Sequence, residues 1–314
     1  MSKALVIIKS MGIGDFCILI SSIHAISKKI DKSVKVLAQK NTCATAIFKH
    51  DPYVDEVIEL NEKEIKGFFS IIKKIKPRQF DQSYIFSDSI RFYLISKLSG
   101  IKENFHYKFF SKKGKNFFKT AKKFTEKILD MEIDPQSKIY CDKNDIEKAK
   151  TKFNISDKTK NIICGISASG LTKRWDIENY IKLFEKLNSK FQCKFFLAAG
   201  PNDEHLIKKV SNSSIGNRCT SFSTMKIAET IPIISACQYY IGNDTGWGHI
   251  SSGLNLKSLF LFMDSPPSAY GVYSKNISII VPDGETIESC GHNTRGKNKI
   301  SVDKVLHKSL ELMN

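Results

Sequence analysis

The segment Ile241–Ile250, with the sequence IGNDTGWGHI, predicts the fold of the second half of the chain. The apolar run that leads into it predicts a buried strand, and Asn-Asp-Thr-Gly is typical of a turn that starts a helix. We expect Asp244 or Thr245 to cap that helix, while Gly246 and Gly248 leave its first N–H groups uncovered. Such groups bind anions, which predicts a phosphate site at the carboxyl end of a strand. A junction without a ligand would show the same capping residues.

A second segment, Ile162–Asp176 with the sequence IICGISASGLTKRWD, favours the phosphate interpretation. An apolar strand leads into a loop of small, hydroxyl-bearing residues, and two cations follow it. We expect the narrow loop to let a phosphate approach the backbone near Ser169, with Lys173 and Arg174 as countercharges. Asp176 then precedes an amphipathic helix. The alternative is a Lys-Arg pair solvated on a surface loop, and the small residues before the pair argue against it.

The third segment, Ala4–Phe16, predicts a buried first strand, a glycine turn and a helix that opens near Asp15. The dinucleotide fingerprint fails here, because Cys17 stands at its third glycine position and Gln39, not an acid, ends the second strand. Asp15 follows Gly14 directly at the mouth of the first strand. Two roles stay open for this carboxylate, a helix cap or a general base that faces a cleft.

Together these segments resemble the glycosyltransferase family of bacterial heptosyltransferases, glycosyltransferase family 9. The shared features are the Gly-Asp turn at Met11–Asp15, the Lys-Arg-Trp sequence at Lys173–Trp175 and the Asn-Asp-Thr-Gly-x-x-His segment at Asn243–His249. The resemblance extends over nearly the whole chain. Trp247 departs from the pattern, because the family usually has small or apolar residues there, and this difference concerns the donor sugar more than the fold.

The resemblance implies an α/β protein of the GT-B fold, with two Rossmann-like domains whose parallel sheets face each other across a cleft. Alternating strand and helix patterns in both halves also predict parallel sheets, five strands followed by six. We expect an acceptor-binding domain at residues 1–155 and a nucleotide-sugar-binding domain at 156–300. We expect the linker near 150–160, within a charged stretch at 142–160, and residues 301–314 are expected to form a helix that packs back toward the first domain.

The activity implied by the resemblance is inverting, metal-independent transfer of a sugar, with no cofactor. A heptose would move from a nucleoside-diphosphate donor such as ADP-heptose to a lipopolysaccharide-type or other glycan acceptor. The alternative is a non-catalytic or degenerate protein of the same fold that binds a nucleotide sugar or glycan. Asp203 and Glu204, after another strand, either reach the donor ribose or lie at a solvated helix start. The predicted site comprises Asp15 as the base; Ser169, Lys173, Asp244, Thr245, Gly246, His249 and Glu204 for the donor; and Gly14, Lys112 and Lys113 on the acceptor side.

The charge pattern predicts an anionic partner. The chain of 314 residues has a net charge of +17, and nine lysines but only two acids lie between Lys102 and Lys127, interleaved with aromatic residues. Such a run suits an anionic glycolipid acceptor or peripheral contact with the inner face of an anionic membrane. The alternative is a solvated face, and nucleic acid is disfavoured because no nucleic-acid motif occurs. Eight cysteines without a Cys-x-x-Cys pair, and no signal peptide, favour the cytoplasm.

Overall fold

The computed structural model describes residues 3–9, 12–108 and 116–314. The chain divides into two compact units, Met1–Tyr140 and Cys141–Asn314. Each unit is an α/β domain with its own parallel sheet.

In the first unit, the described residues form a five-stranded parallel sheet. The strand order is β3-β2-β1-β4-β5, so the order reverses beside the first strand. The elements are β1 (Ala4–Ile8), α1 (Ile13–Lys29), β2 (Val34–Gln39), α2 (Ala44–Ile47), β3 (Val54–Leu60), α3 (Glu62–Lys66), α4 (Phe68–Ile75), β4 (Gln82–Phe86), α5 (Ile90–Leu98), β5 (Glu103–His106) and α6 (Phe117–Leu129).

The second unit has a six-stranded parallel sheet with the order β11-β10-β9-β6-β7-β8. Counted from β6, this is the Rossmann order 3-2-1-4-5-6 in reverse. The elements are α7 (Lys143–Phe153), β6 (Lys160–Gly165), α8 (Ile177–Asn188), β7 (Cys193–Leu197), α9 (Glu204–Ser211), β8 (Cys219–Ser221), α10 (Ile227–Ser235), β9 (Tyr239–Asn243), α11 (Gly246–Gly253), β10 (Lys257–Leu261), α12 (Pro267–Tyr270), β11 (Ile277–Ile280) and α13 (Val302–Met313).

Both sheets have a topological switch point, where the strand order reverses. It lies between β1 and β4 in the first unit and between β6 and β9 in the second. In open parallel sheets, ligands bind outside the carboxyl ends of the strands at this point. The segment after β1 contains Asp15, and the segments after β6 and β9 contain Lys173 and Asp244. Each motif of the sequence therefore follows a strand at a switch point.

The central strands are buried on both faces, which explains their continuous apolar sequences. All five residues of β1 are buried, and so are the last five of β6. Helices cover the sheets with one apolar face each: in α8, Tyr180, Leu183 and Phe184 are buried while Glu185 is exposed. The fold of two Rossmann-like parallel-sheet units agrees with the sequence prediction, and so does the number of strands in each sheet.

The linker predicted near 150–160 does not separate the two compact units. Residues 143–153 form α7, which Asp142 caps by accepting hydrogen bonds from the N–H groups of Asn144 and Asp145. The helix packs on α10 of the second unit, so the units divide after Tyr140 and not near 155. The helix is largely charged and only Ala149 is buried, which removes the apolar periodicity that identifies a helix in sequence.

The predicted C-terminal helix is present as α13. Its partners within the second unit are α8 and β10, and Val305 and Met313 join the apolar core there. Its expected packing toward the first domain stays a prediction.

Two glycines bring β6 and β9 close together where the strands end. Gly165 pairs with Gly242 in the sheet, and a Cβ on Gly242 would lie 2.4–2.7 Å from the backbone of Gly165. Backbone atoms cannot yield as a flexible side chain can. We therefore predict that Gly242→Ala lowers the free energy of unfolding by about 1–3 kcal/mol, the usual cost of overpacking.

Urea denaturation measures this cost. The control is Gly291→Ala, because a Cβ on Gly291 would meet no atom within 4 Å. Its effect should stay within about 0.5 kcal/mol. Equal midpoints for both variants would contradict the account of this strand pair.

Candidate functional site

The side-chain amide of Asn243, the last residue of β9, holds three segments together. Its Oδ1 accepts hydrogen bonds from the Trp175 N–H at 3.0 Å and from the Tyr180 hydroxyl at 3.1 Å. Its Nδ2 donates to the Ser167 carbonyl at 3.1 Å. Asn243 is completely buried, so all these bonds lie away from water. The loop after β6 and the start of α8 are thus fixed relative to β9.

The loop between β6 and α8 is anchored again at its far end. Trp175 is buried and its indole N–H donates to the Ile300 carbonyl at 2.9 Å. The Thr172 hydroxyl donates to the Asp264 carboxylate at 2.6 Å, and Asp264 also accepts from the Arg295 N–H. Ser169 is exposed at the tip between these anchors. The contact of Ser169 with the donor stays a prediction. The loop that carries Ser169 has a defined position.

The two cations of this loop differ in their surroundings. Arg174 forms an ion pair with Asp203 at 2.7 Å, and both side chains are only about 15% exposed. The solvated alternative is therefore wrong for Arg174, because Asp203 already balances its charge in a mostly buried ion pair. A role of Arg174 as a countercharge for phosphate stays a prediction. Among the described residues, Lys173 forms no ion pair within 4.0 Å. Its charge instead lowers the pKa of two nearby carboxyl groups, Asp244 and Asp264.

Asp244 is held by a chain of buried and partly buried hydrogen bonds. A carboxylate only accepts, so His249 Nε2–H donates to Asp244 Oδ1 at 3.2 Å, and Ser265 donates to Oδ2 at 2.8 Å. His249 Nδ1 and the Tyr273 hydroxyl are joined by a further hydrogen bond at 2.9 Å. The rings of His249 and Tyr273 are also stacked, with centroids 5.7 Å apart. His249 is thus engaged by protein groups and positions the Asp244 carboxylate.

These contacts keep Asp244 ionised. Burial opposes ionisation, but the hydrogen bond and charge of His249, the Ser265 hydroxyl and the charge of Lys173 outweigh it, and the pKa of Asp244 is lowered. Burial is likewise outweighed at Asp264, where the Thr172 hydroxyl, backbone N–H groups and Lys173 lower the pKa. The site therefore contains two ionised carboxylates near one lysine.

The start of α11 differs in detail from the prediction. Thr245 is the N-cap residue, but its side chain makes no capping hydrogen bond and instead lies 3.2 Å from the Tyr240 hydroxyl. Gly248 does not uncover an N–H group either, since that group donates to the Thr245 carbonyl. A Cβ on Gly248 would lie 2.5–2.9 Å from the rings of Phe260 and Tyr240, so this glycine permits close packing on the sheet.

The first two helical residues of α11, Gly246 and Trp247, precede the point where bonds within the helix begin. Their N–H groups have no acceptor in the preceding turn of the helix, as at any helix start. They follow Asp244 and the N-cap residue Thr245, at the switch point of the second sheet. The capping by the side chain of Asp244 or Thr245 is wrong. The anion site at the end of β9 stays a prediction.

In the first unit, α1 begins at Ile13, with Gly12 at the N-cap position. Asp15 and Gly14 therefore lie in the first turn, close to the carboxyl end of β1. A negative charge is stabilised at a helix N-terminus, which favours the ionised form that a general base requires.

A basic cavity of about 530 Å³ lies between β5 and α6 in the same unit. Lys119, Lys123 and Lys127 line it from successive turns of α6, and all three are exposed. Tyr107 and Phe124 add an aromatic surface, with ring centroids 4.9 Å apart. The remaining lining residues are His106, Lys108, Asn116 and Thr120. Lys112 and Lys113, the predicted acceptor-side lysines, lie outside the described residues.

Glu204 is exposed at the start of α9 and pairs with Lys208 at 3.2 Å, which agrees with the solvated interpretation. Asp203 forms the ion pair with Arg174 described above.

Three residues of the site were not predicted from the sequence: Asn243 as the residue that joins the loops, Asp264 and Tyr273. The signal for Asp264 was available, since it follows the apolar strand β10 and precedes two prolines. Nothing in the sequence indicated that Tyr273 contacts His249.

Among the described residues, no group of three His, Cys, Asp or Glu side chains is arranged to hold a metal ion.

Comparisons with known proteins agree with this geometry. Residues 104–299 match glycosyltransferase family 9 (heptosyltransferase). The chain is 22% identical over 298 residues to lipopolysaccharide heptosyltransferase 1 of Campylobacter coli, covering 84% of this chain and 85% of that protein. It resembles the structure of E. coli ADP-heptose lps heptosyltransferase II, with a TM-score of 0.76, 17% identity, and 99% and 98% of the two chains covered. E. coli heptosyltransferase WaaC with ADP gives a TM-score of 0.74, 14% identity, and 98% and 99% covered.

Two Rossmann-like units, each with polar groups at its switch point, are the architecture of a GT-B glycosyltransferase, and the solved structures share this fold. The match to the family extends over more than half of the chain. The protein belongs to glycosyltransferase family 9, the heptosyltransferase family, and is a glycosyltransferase.

The Asn243 side chain provides a direct test of the site's construction. Replacing it with Ala leaves the buried Trp175 N–H and the Ser167 carbonyl without their partner. Each unpaired group lowers the free energy of unfolding by about 1–3 kcal/mol. We predict that Asn243→Ala lowers the free energy of unfolding by about 2–6 kcal/mol, measured by urea denaturation.

The matched control is Asn276→Ala, whose amide bonds to Asn255 at an exposed position. It should change the unfolding free energy by less than about 0.5 kcal/mol. A cost for Asn243→Ala no larger than that of the control would show that the amide does not hold the loops.

Proposed function

We propose that this glycosyltransferase moves a heptose from an ADP-heptose-type donor to a lipopolysaccharide-type acceptor, with inversion and without a metal ion. The observation that carries the proposal is the arrangement at the ends of β6 and β9. Lys173 lies there on an anchored loop, beside the open start of α11. The printed names of the relatives supply the substrate class, since they include ADP-heptose, ADP and lipopolysaccharide.

The donor diphosphate would bind at the second unit. The N–H groups of Gly246 and Trp247 would donate to its oxygens, and Lys173 would offset the charge that grows as the diphosphate leaves. Ser169 would add a hydroxyl from the loop after β6. Asp244, fixed by His249, is placed to accept hydrogen bonds from hydroxyl groups of the donor, because its carboxylate oxygens retain further lone pairs.

Asp15 would serve as the general base. It takes the proton of the acceptor hydroxyl as that oxygen attacks the anomeric carbon from the face opposite the diphosphate. The new C–O bond forms while the bond to the diphosphate breaks, and its electron pair leaves with the diphosphate. One displacement inverts the configuration, as in the base half of an inverting glycosidase. A diphosphate is a stable anion and needs no proton to leave.

The acceptor would be an anionic glycolipid, bound in part by the cavity between β5 and α6. The three lysines of α6 suit phosphate or carboxylate groups, and the aromatic surface suits a sugar ring. Among the described residues, no helix is both long and apolar enough to cross a membrane. We propose peripheral contact with the inner face of an anionic membrane as the setting in which the enzyme meets this acceptor.

The role of Asp15 is tested by Asp15→Asn. The amide preserves the size of the side chain and its capacity to accept one hydrogen bond, but it cannot take a proton. We predict that turnover falls by about two to four orders of magnitude while the dissociation constant for ADP stays unchanged. Near-normal turnover of the variant would exclude a catalytic base at this position. Wild-type protein that binds ADP-heptose but transfers no sugar to any glycan acceptor would support a non-catalytic binding protein instead.

The role of Lys173 is tested by calorimetry with ADP. A hydrogen bond to a charged group contributes about 1.5–3 kcal/mol, so Lys173→Ala should weaken ADP binding about 10- to 100-fold. The control is Lys186→Ala, since Lys186 lies in the last turn of α8 and pairs with Asp303. ADP affinity that is equal in the two variants would refute the assignment.

The acceptor cavity is tested by reversing its three lysines. We predict that Lys119, Lys123 and Lys127 changed to Glu raise the KM for a phosphorylated glycan acceptor at least tenfold, and that salt raises the wild-type KM in the same direction. ADP affinity should be unaffected. The same charge change on another exposed helix, Lys143, Lys148 and Lys152 to Glu, is the control. Equal KM values for both triple variants would leave the cavity without a specific role.

A further inference from the structure

Helices α4 and α5 pack against each other and expose a set of large apolar side chains. Phe69 on α4 is 78% exposed, and Ile90, Leu94 and Leu98 on α5 are 43%, 42% and 57% exposed. The three residues of α5 are spaced four apart, so they form one stripe along the helix. We call these four residues the α4–α5 patch. Elsewhere in the described chain, exposed large apolar residues occur singly, at Met131, Leu171 and Val272.

The charge around the patch is mostly positive. Neither α4 nor α5 contains an acidic residue. On these helices and the residues that adjoin them, the exposed lysines are Lys63, Lys66, Lys73, Lys76, Lys97 and Lys102, and they outnumber the exposed acids Glu62, Asp88 and Glu103. Single exposed apolar residues need no explanation, but four on one helix pair indicate an interaction surface.

The charge identifies the partner. A second copy of this chain would bring two cationic rims together in a molecule that already carries +17, and like charges oppose such contact. A bilayer with anionic headgroups complements both features, because apolar side chains enter its interface while lysines remain among the headgroups. An anionic membrane therefore fits the patch better than a protein surface of the same kind.

The patch also adjoins the basic cavity. Tyr93 of α5 packs edge-on against His106, with ring centroids 4.9 Å apart, and His106 lines the cavity between β5 and α6. A lipid-linked substrate has its sugars at the membrane surface and its acyl chains within the bilayer. A membrane held by the patch would present those sugars beside the cavity.

We propose that the α4–α5 patch is the membrane-docking surface of this enzyme and that it rests on anionic bilayers next to the acceptor cavity. The proposal rests on the function proposed above, since it gives the acceptor a lipid anchor. It assigns the apolar part of membrane binding to α4 and α5, whereas the lysines of α6 contact the glycan.

The test is sedimentation of the full chain with vesicles of phosphatidylglycerol and phosphatidylcholine, compared with phosphatidylcholine alone. Wild-type protein should bind the anionic vesicles preferentially, and the double variant Leu94→Glu, Leu98→Glu should lower their apparent affinity at least tenfold. The single variant Leu98→Glu is matched with Met131→Glu, because these side chains are 57% and 47% exposed and undergo the same change in charge. Only the Leu98 variant should weaken binding. Light scattering of the wild-type protein should give a monomer.

Several results would overturn the proposal: wild-type protein that ignores anionic vesicles, a double variant that binds them equally well, or equal losses in the two single variants. Self-association of the wild type that the double variant abolishes would make the patch an interface between copies. Transfer to a water-soluble phosphorylated glycan without acyl chains separates this proposal from the proposed function. The double variant should retain that activity, whereas an incorrect proposed function would leave even the wild type without it.

Discussion

The second unit depends on one constraint: the amide of Asn243 is buried and must have all its hydrogen bonds made by protein. Leaving such a group unpaired away from water is costly, so the Ser167 carbonyl, the Trp175 N–H and the Tyr180 hydroxyl are held at fixed positions around it. The loop that carries Lys173 is thereby fixed beside the start of α11. A diphosphate would meet donors that are already in position, and binding would order little of the protein.

A second constraint comes from the parallel sheets. Because every strand in a sheet runs in the same direction, the segments after β6, β9 and β10 emerge at one edge. Residues distant in sequence, such as Thr172 and Asp264, therefore come within 2.6 Å. The strands themselves were predictable, because their apolar runs and the helices between them are local signals. The switch points follow from the same alternation, and so Lys173 and Asp244 could be expected near each other.

The side-chain pairs that form between segments at the sheet edge could not be predicted from the sequence. Arg174 follows Lys173 and has the same charge, but the position of Asp203 after β7 makes it half of an ion pair. Similarly, His249 stands in a recognisable motif, whereas Tyr273 lies beyond the next strand with no pattern that marks it. The helix α7 was missed because it is largely charged and buries only Ala149, which leaves no apolar periodicity in the sequence. Local periodicity determines elements, while side-chain pairing between elements depends on three-dimensional packing.

The central claim, that a nucleoside diphosphate binds at the switch point organised by Asn243, is tested most directly by hydrogen exchange with and without ADP. We predict slower amide exchange at residues 166–175 and 243–250 when ADP is bound, and unchanged exchange at residues 12–16. Protection confined to the first unit, or no change at residues 166–175 and 243–250 at saturating ADP, would contradict it.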